Sequence, residues 1–420
     1  MRSSRSRGTS HMFRALFDTL FKRTPTEEGF ARTFIKAARA GGYAEPLEYL
    51  ADDFRLRYGD NSYFNLHNAY RDYLNADKAR KAEVLNSYLR ALIDTRNSTA
   101  AQPLEQVRAL LRPVIRNLAM LEEIRLHHVR SEGWNSPCPM AWKPFSEDCV
   151  TLLAVDYPDT TSTQTAGPQK DWGITLEQAL SIALDNLRDA SPDAFEPVVP
   201  GLYQGAWRDG YDTSRVLLPD VLQRLPLKGQ PVFMMPSRDV LMVTGDKDAE
   251  GLRQMVELSF HALENGRAQS SRIYTYQDRQ IVPFQVEDAH LQARLDDLQR
   301  LLQHGLYSSQ KEFLDKIHET HPEDIFVATH RLYSNGDAHG STFSIAAWTE
   351  GVFTSLPKTD RVIFVQPQED GTADTQVVAW TEVESLLAPL LATDGDLYPP
   401  RYRTLGFPSS EQLSRMTPVD

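Results

Sequence analysis

Cysteine is scarce in this chain, with two among 420 residues, Cys138 and Cys149. Two thiols cannot build a disulfide framework, and their spacing is not Cys-x-x-Cys. A reducing cytoplasm is the setting this implies. No apolar run approaches the roughly 20 residues that a membrane-spanning helix needs. Phe13 to Arg23 is apolar on one side, but its internal Arg14 and Asp18 suit an amphipathic helix better than a signal peptide. An excess of basic charge is missing too: Lys and Arg number 45 against 57 Asp and Glu, for a net charge of −12. Residues 1–11, ending in Ser-His before Met12, read as an expression-tag remnant, and they carry three arginines and no acid. The chain from Met12 onward is therefore more acidic still. Neither a nucleic-acid backbone nor an anionic membrane is expected as main partner, since both need a basic footprint.

Catalytic signatures are absent as well. There is no Gly-x-Ser-x-Gly elbow and no Ser-x-x-Lys with its companion motifs. There is neither a Walker loop nor Gly-x-Gly-x-x-Gly. Carboxylates are many but scattered, so no pair for glycoside chemistry stands out.

What is present is an ordinary globular composition, 41% hydrophobic and 24% charged, in a chain long enough for two or three cores. Thr24-Pro-Thr-Glu27 forms a capping-box pattern with Thr24 as cap, opening a helix whose Phe30, Phe34, Ile35 and Ala38 share a face. Gly41-Gly42 ends it. Phe54–Tyr58 and Tyr63–Leu66 read as strands around a Gly59–Ser62 turn. Helical spacing returns over Val84–Leu92, and Val114-Ile115 and Val150–Val155 read as strands. A second capping box, Thr175–Gln178, opens a helix through Leu187. Ala190–Pro200 reads as a Pro-rich loop, and Leu202–Trp207 as a strand. Val232–Met235 and Val240–Thr244 form a hairpin around Pro236–Asp239, Glu250–Leu263 a helix, and Ile273–Tyr276 and Ile281–Val286 a hairpin around Gln277–Gln280.

This order favours an α+β fold over a doubly wound parallel sheet. It suggests two related helix-hairpin-helix-hairpin units, 12–160 and 161–286, by duplication. A smaller α+β unit with a polar tail from Pro399 occupies 287–420. In it, His290–His304 reads as a helix, and Ser308-Ser309 as the cap of a second. Strands are expected at 325–332, 342–348, 362–366 and 376–380, and Thr381–Glu384 as the cap of a last helix.

Several segments carry a family resemblance. They are Phe54-Arg-Leu-Arg57, Pro113-Val-Ile-Arg116, Asp171-Trp-Gly-Ile-Thr175 and, most densely, Tyr203–Phe284 with Asp209-Gly-Tyr-Asp-Thr-Ser-Arg215 and Pro236-Ser-Arg-Asp239. Over roughly Pro25 to Phe284 the chain resembles a bacterial family typified by YtpQ (domain-of-unknown-function family 1444), which has no assigned biochemical role. Pro219 departs from the family's uninterrupted helix over 216–222, so that helix must kink or start later. Residues 287–420 have no counterpart in the short family members.

The best polar cluster is Asp209–Arg215. As a binding site it offers Asp209, Asp212 and Ser214 as polar contacts, Arg215 as an anion clamp and Tyr211 as a wall. As plain structure it is a glycine turn followed by an Asp212 helix cap, with Arg215 in a salt bridge. Arg238 and Asp239, in a hairpin turn, carry the same pair of readings. His318 and His321 share a helical face, with His330 and His339 nearby, but Pro322 stops the helix and the zincin spacing is missing. His127, His128, Cys138 and Cys149 match no zinc template. No metal and no cofactor are therefore expected. The aromatic loop 131–148 suits a cover over a core or a partner's groove. The function expected is a non-enzymatic protein-binding or adaptor module, chaperone- or immunity-like, whose partner is another protein. The alternative is a hydrolase or transferase with its site near Asp209–Arg215.

Overall fold

Side-chain caps set where several helices of this chain begin. Thr26 accepts from Gly29 N at 3.1 Å and starts α1 (Glu27–Ala40). Thr24, the expected cap, lies outside the described residues. The computed structural model describes residues 25–51, 54–58, 62–98, 102–157, 161–320, 324–336 and 341–419. They form two compact units, one drawn from residues 25–103 with 156–162, the other from 104–155 with 163–419.

In the first unit, α1 is followed by the antiparallel sheet β1 (Leu47–Leu50), β2 (Arg55–Tyr58) and β3 (Ser62–Asn65), then α2 (His67–Asn75) and α3 (Lys81–Ser98). The sequence pattern located β2 and β3 but not β1. The face of α1 carrying Phe30, Phe34 and Ala38 is buried against Phe54, Leu56, Leu66 and Leu92. Phe30 also lies against Tyr70 and Tyr73, with ring centroids 5.3 and 5.2 Å apart. The core is thus largely aromatic, which suits so small a unit because each ring buries much area.

In the second unit, short helical turns over 104–110 lead into β4 (Leu111–Asn117) and α4 (Leu118–Glu132), the latter capped by Asn117 accepting from Ala119 N. β5 (Lys143–Pro144) and β6 (Cys149–Asp156) complete a sheet ordered β4–β6–β5, and β7 (Thr161–Gln164) pairs with β6. Next comes α5 (Leu176–Asp189), with both bonds of the Thr175–Gln178 capping box formed. A six-stranded antiparallel sheet follows. It contains β8 (Phe195–Val199), β9 (Leu202–Gly205), β10 (Pro231–Ser237), β11 (Val240–Gly245), β12 (Ile273–Gln277) and β13 (Gln280–Pro283), in the order β13–β12–β10–β11–β9–β8. β8 lies within the stretch expected to be loop, and the Pro200-Gly201 turn joins it to β9. Gly201 there has φ of 83° and an added Cβ would meet Asp248 Oδ2 at 2.1 Å.

Side chains of β10 alternate between two buried layers. Phe233 and Met235 face a core shared with Val114, Ile115, Val150, Leu152, Leu241 and Tyr274. Val232 and Met234 face α6 (Ala249–Asn265) and the helix after it, through Met255, Val256, Leu291, Leu295 and Leu298. A buried polar knot reinforces the first layer. Asp148 accepts from Ser270 Oγ at 2.8 Å and from Tyr274 OH at 3.0 Å, and Asn117 Nδ2 donates to Gln269 O at 2.6 Å. The boundaries expected at 160 and 286 therefore do not follow the compact units. Residues 104–155 and 187–276 fill one core, and 289–298 roof another.

That roof is α7 (Ala289–Thr320), one continuous helix where two were expected. Ser308 does not cap a new helix; its hydroxyl donates back to His304 O at 2.7 Å, a bond compatible with the helix interior. Two further four-stranded sheets follow. The first runs β14 (Phe326–Val327), β17 (Thr354–Pro357), β21 (Arg401–Thr404), β20 (Leu391–Thr393), and the second β15 (Arg331–Ser334), β16 (Thr342–Thr349), β18 (Arg361–Pro367), β19 (Ala373–Ala379). The β16–β18 and β14–β17 pairs are parallel, so the whole chain is α+β with mixed and antiparallel sheets. Helix α8 (Trp380–Leu387) begins one residue before Thr381, without a side-chain cap. The tail holds β21 and α9 (Ser410–Ser414), the latter closed by a Ser409–Gln412 capping box.

The β12–β13 turn is tight, and Asp278 and Arg279 both take positive φ, 50° and 65°. Asn-Gly is the sequence such a turn prefers. Replacing Asp278-Arg279 by Asn-Gly is expected to raise the unfolding free energy by about 1 kcal/mol, read as an increase in denaturation midpoint at unchanged m value.

Candidate functional site

Asp209–Arg215 lies between β9 and the short helical turns that lead to β10. Gly210 has φ of 81°, and Asp209 Oδ1 accepts from Tyr211 N at 2.9 Å, closing the turn. Thr213–Leu217 is a 3-10 turn, and Pro219 starts the next short helix at its first position, where its missing N–H costs nothing. The helix begins late, as a proline there requires.

The Arg215 side chain is fully buried. Its Nε donates to Ser191 Oγ at 3.0 Å, Nη1 to Asp209 Oδ1 at 3.0 Å, and Nη2 to Asp209 Oδ2 at 2.7 Å and Ala190 O at 2.9 Å. The guanidinium also stacks on Trp207, 4.2 Å from the ring centroid. Burial alone would raise the Asp209 pKa, but hydrogen bonds from Arg215 and Tyr211 N–H hold it below the usual range. Asp212 does not cap a helix. It accepts from Trp207 N at 3.1 Å, and burial together with the Asp209 charge raises its pKa. Tyr211 is buried in the core, and the Ser214 hydroxyl is buried with no hydrogen-bond partner. Asp209, Asp212 and Arg215 thus spend their polar groups on holding the loop after β9.

Arg238 and Asp239 lie in the β10–β11 turn. Arg238 N donates to Arg267 O at 3.1 Å, and Thr213 Oγ1 to Arg238 O at 3.2 Å. Asp239 is exposed and shares a shallow depression with Asp212, Arg208 and Glu196. Arg238 does not turn to the Asp209–Arg215 pair. Its strongest charged neighbours are Arg116 at the end of β4 and Arg267 after α6. Arg267 carries no sequence signal of its own.

Among the described residues no group of three or more His, Cys, Asp or Glu side chains could hold a metal. His128 meets Ser136 Oγ at 3.1 Å, His127 packs edge-on against Phe313, and Cys149 is buried with its thiol directed to Gln269 O. His318 lies in the last turn of α7; His321 and His339 fall outside the described residues. In the loop 131–148, Met140 and Phe145 pack on the core while Trp142 is exposed.

One apolar surface groove has no counterpart in the sequence reading. β16 reads Thr-Phe-Ser-Ile-Ala-Ala-Trp-Thr, apolar on both faces. One face, through Ala346, Trp348, Val362, Phe364 and Val378, builds the C-terminal core. The other brings Ile345, Ala347, Ile363, Val365 and Val377 to a groove of about 420 Å3, flanked by Phe326, Tyr333 and Phe343. The register aligns Ala347 with Ile363 and Ile363 with Val377, so these three form one row across the sheet. Phe326 is 53% and Tyr333 44% exposed. Arg331 and Arg361 stand at the rim, the latter 4.0 Å over the Phe343 ring. Sheets solvated on one side normally alternate apolar and polar residues, and this one does not.

No protein-family model, no curated protein and no solved structure matches this chain at a significant level. No helix among the described residues is long and apolar enough to cross a membrane.

Proposed function

We propose that this chain is a non-enzymatic protein-binding module whose β15–β16–β18–β19 face receives a segment of a partner protein. The observation that carries this reading is the doubly apolar sheet, whose outer row of Ala347, Ile363 and Val377 is left half-buried beside exposed aromatics. Contiguous exposed apolar surface rimmed by polar groups is the mark of an interaction site. Arg331 and Arg361 at the rim select a segment with apolar residues on one side and acidic ones beside them. The free cysteines support a reducing compartment, which we take to be the cytoplasm. The hydrolase or transferase reading is the weaker one, because Asp209, Asp212 and Arg215, which it would use, are engaged in folding contacts.

Ile363→Asp is the test. The side chain is partly exposed on the outer face, so the substitution places a charge in the groove with little cost to the core. Affinity capture with the parent chain is expected to retain a specific partner that Ile363→Asp loses, while the two proteins melt at similar temperatures. Identical capture profiles for the two would sink the reading.

A further inference from the structure

Arg116, Arg238 and Arg267 meet where β4 ends beside the β10–β11 turn. Three contacts bring these chain positions together. Asn117 Nδ2 bonds Gln269 O, Ser237 bridges Ala268, and Arg238 N bonds Arg267 O. Each guanidinium remains charged at any physiological pH, since arginine does not lose its proton in proteins. Burial, then the charges of Arg267 and Arg116 respectively, lowers Arg116 to about 10 and Arg238 to about 9. Asp239 acts on both Arg116 and Arg238, and Glu123 on Arg238, with the opposite sign. Yet no carboxylate among the described residues lies within ion-pair distance of any of the three arginines.

Arg116 is the telling member. It is 8% exposed, its Nη1 donates to its own neighbour's Ile115 O at 2.8 Å, and its Nε has no partner at all. A buried, unpaired N–H on a cation costs more than an ordinary lost hydrogen bond. Placing two more guanidiniums beside it compounds that cost. A fold that only needed stability would not place such a group near two half-buried arginines. This contrasts with Arg215, whose guanidinium is met by a carboxylate, a hydroxyl and a carbonyl.

We propose that Arg116, Arg238 and Arg267 form a binding site for a phosphate-class dianion, either free phosphate or a phosphomonoester. Two negative charges spread over several oxygens suit neighbouring planar donors that neither Asp239 nor Glu123 pairs directly. The site is separate from the C-terminal groove and stands whether or not that groove binds a protein.

The full chain is titrated with inorganic phosphate at a pH where it is dianionic, against chloride of equal ionic strength, by calorimetry and thermal melting. Saturable binding and a rise in melting temperature are expected with phosphate. Arg267→Gln and Arg238→Gln are each expected to weaken binding at least tenfold, about 1.4 kcal/mol. In phosphate-free buffer both variants are expected to melt no lower than the parent, because each removes one of three repelling charges. Phenyl phosphate separates the two sources: tighter binding than phosphate assigns a phosphomonoester, equal binding the free ion. No saturable binding to the parent, or equal phosphate affinity in parent and variants, would overturn the proposal. So would variants that unfold without phosphate, which would make the arginines structural.

Discussion

Asp209→Asn is expected to lower the unfolding free energy by about 3 kcal/mol, with a matching drop in melting temperature. The substitution keeps the shape and one acceptor but removes the charge that Arg215 is paired with. Arg215 has no water to turn to, and Ser191 and Ala190 offer it only neutral oxygens. Asp209 itself is partly exposed, and its hydrogen bonds from Arg215 and Tyr211 N–H outweigh its desolvation. The loss falls almost wholly on the stranded guanidinium. The double variant Asp209→Ala with Arg215→Met is expected to be less damaged than the two singles added together, which a denaturation cycle measures. If Asp209→Asn unfolds within about 0.5 kcal/mol of the parent, the pair is not what anchors this loop, and its carboxylate becomes available again as a functional group.

Acid is expected to destabilise the protein through His330, and His330→Phe to remove that part of the response. The ring is buried against Tyr307, 5.0 Å between centroids, and neither nitrogen has a hydrogen-bond partner. Burial first, then the neighbouring His304, lowers its pKa from 6.5 to about 4, with Asp360 opposing and Arg401 reinforcing. The folded state therefore refuses a proton that the unfolded chain accepts. Stability contributed by the neutral ring is complete above pH 6.5 and falls as pH drops from 6.5 towards 4. The full loss is at most about 3 kcal/mol. Unfolding free energies measured across that window should show the parent losing stability relative to His330→Phe as the pH falls. Parallel curves would mean that the imidazole is reached by water or paired in solution.

Much of the architecture could be read from local signals, and the failures have a common cause. Thr175 and Gln178 close the capping box that their spacing implied, and the hairpins of β10–β11 and β12–β13 fall where the apolar runs and turn residues put them. These are contacts between near neighbours. What escaped was set by distant partners. β8 is proline-bearing and mostly exposed, and it is a strand because β9 pairs with it. Ser308-Ser309 looks like a cap until α7 is seen to be continuous, with Leu291, Leu295 and Leu298 near one end and Leu314 and Ile317 near the other held by two different cores. The candidate site divided in the same way. Asp209 and Arg215 are six apart and their pairing was one of two readings the sequence offered. Arg238 was visible as a turn residue, but its companions Arg116 and Arg267 come from a different strand and a different loop.

The reach of α7 also bears on how the chain is made. At about 1.5 Å per residue, its 32 residues extend about 48 Å. Its first turns cover Val232, Met234 and Met255, and its last turns close over Leu126 and Val129. During synthesis the six-stranded sheet is completed at Pro283, with one apolar face covered by α6 alone. Leu291, Leu295 and Leu298 complete that cover only later, and α4 waits longer, for Ile317. The second unit thus matures late, and a ribosome stalled between these points would release a sticky, half-roofed intermediate of the kind that recruits chaperones.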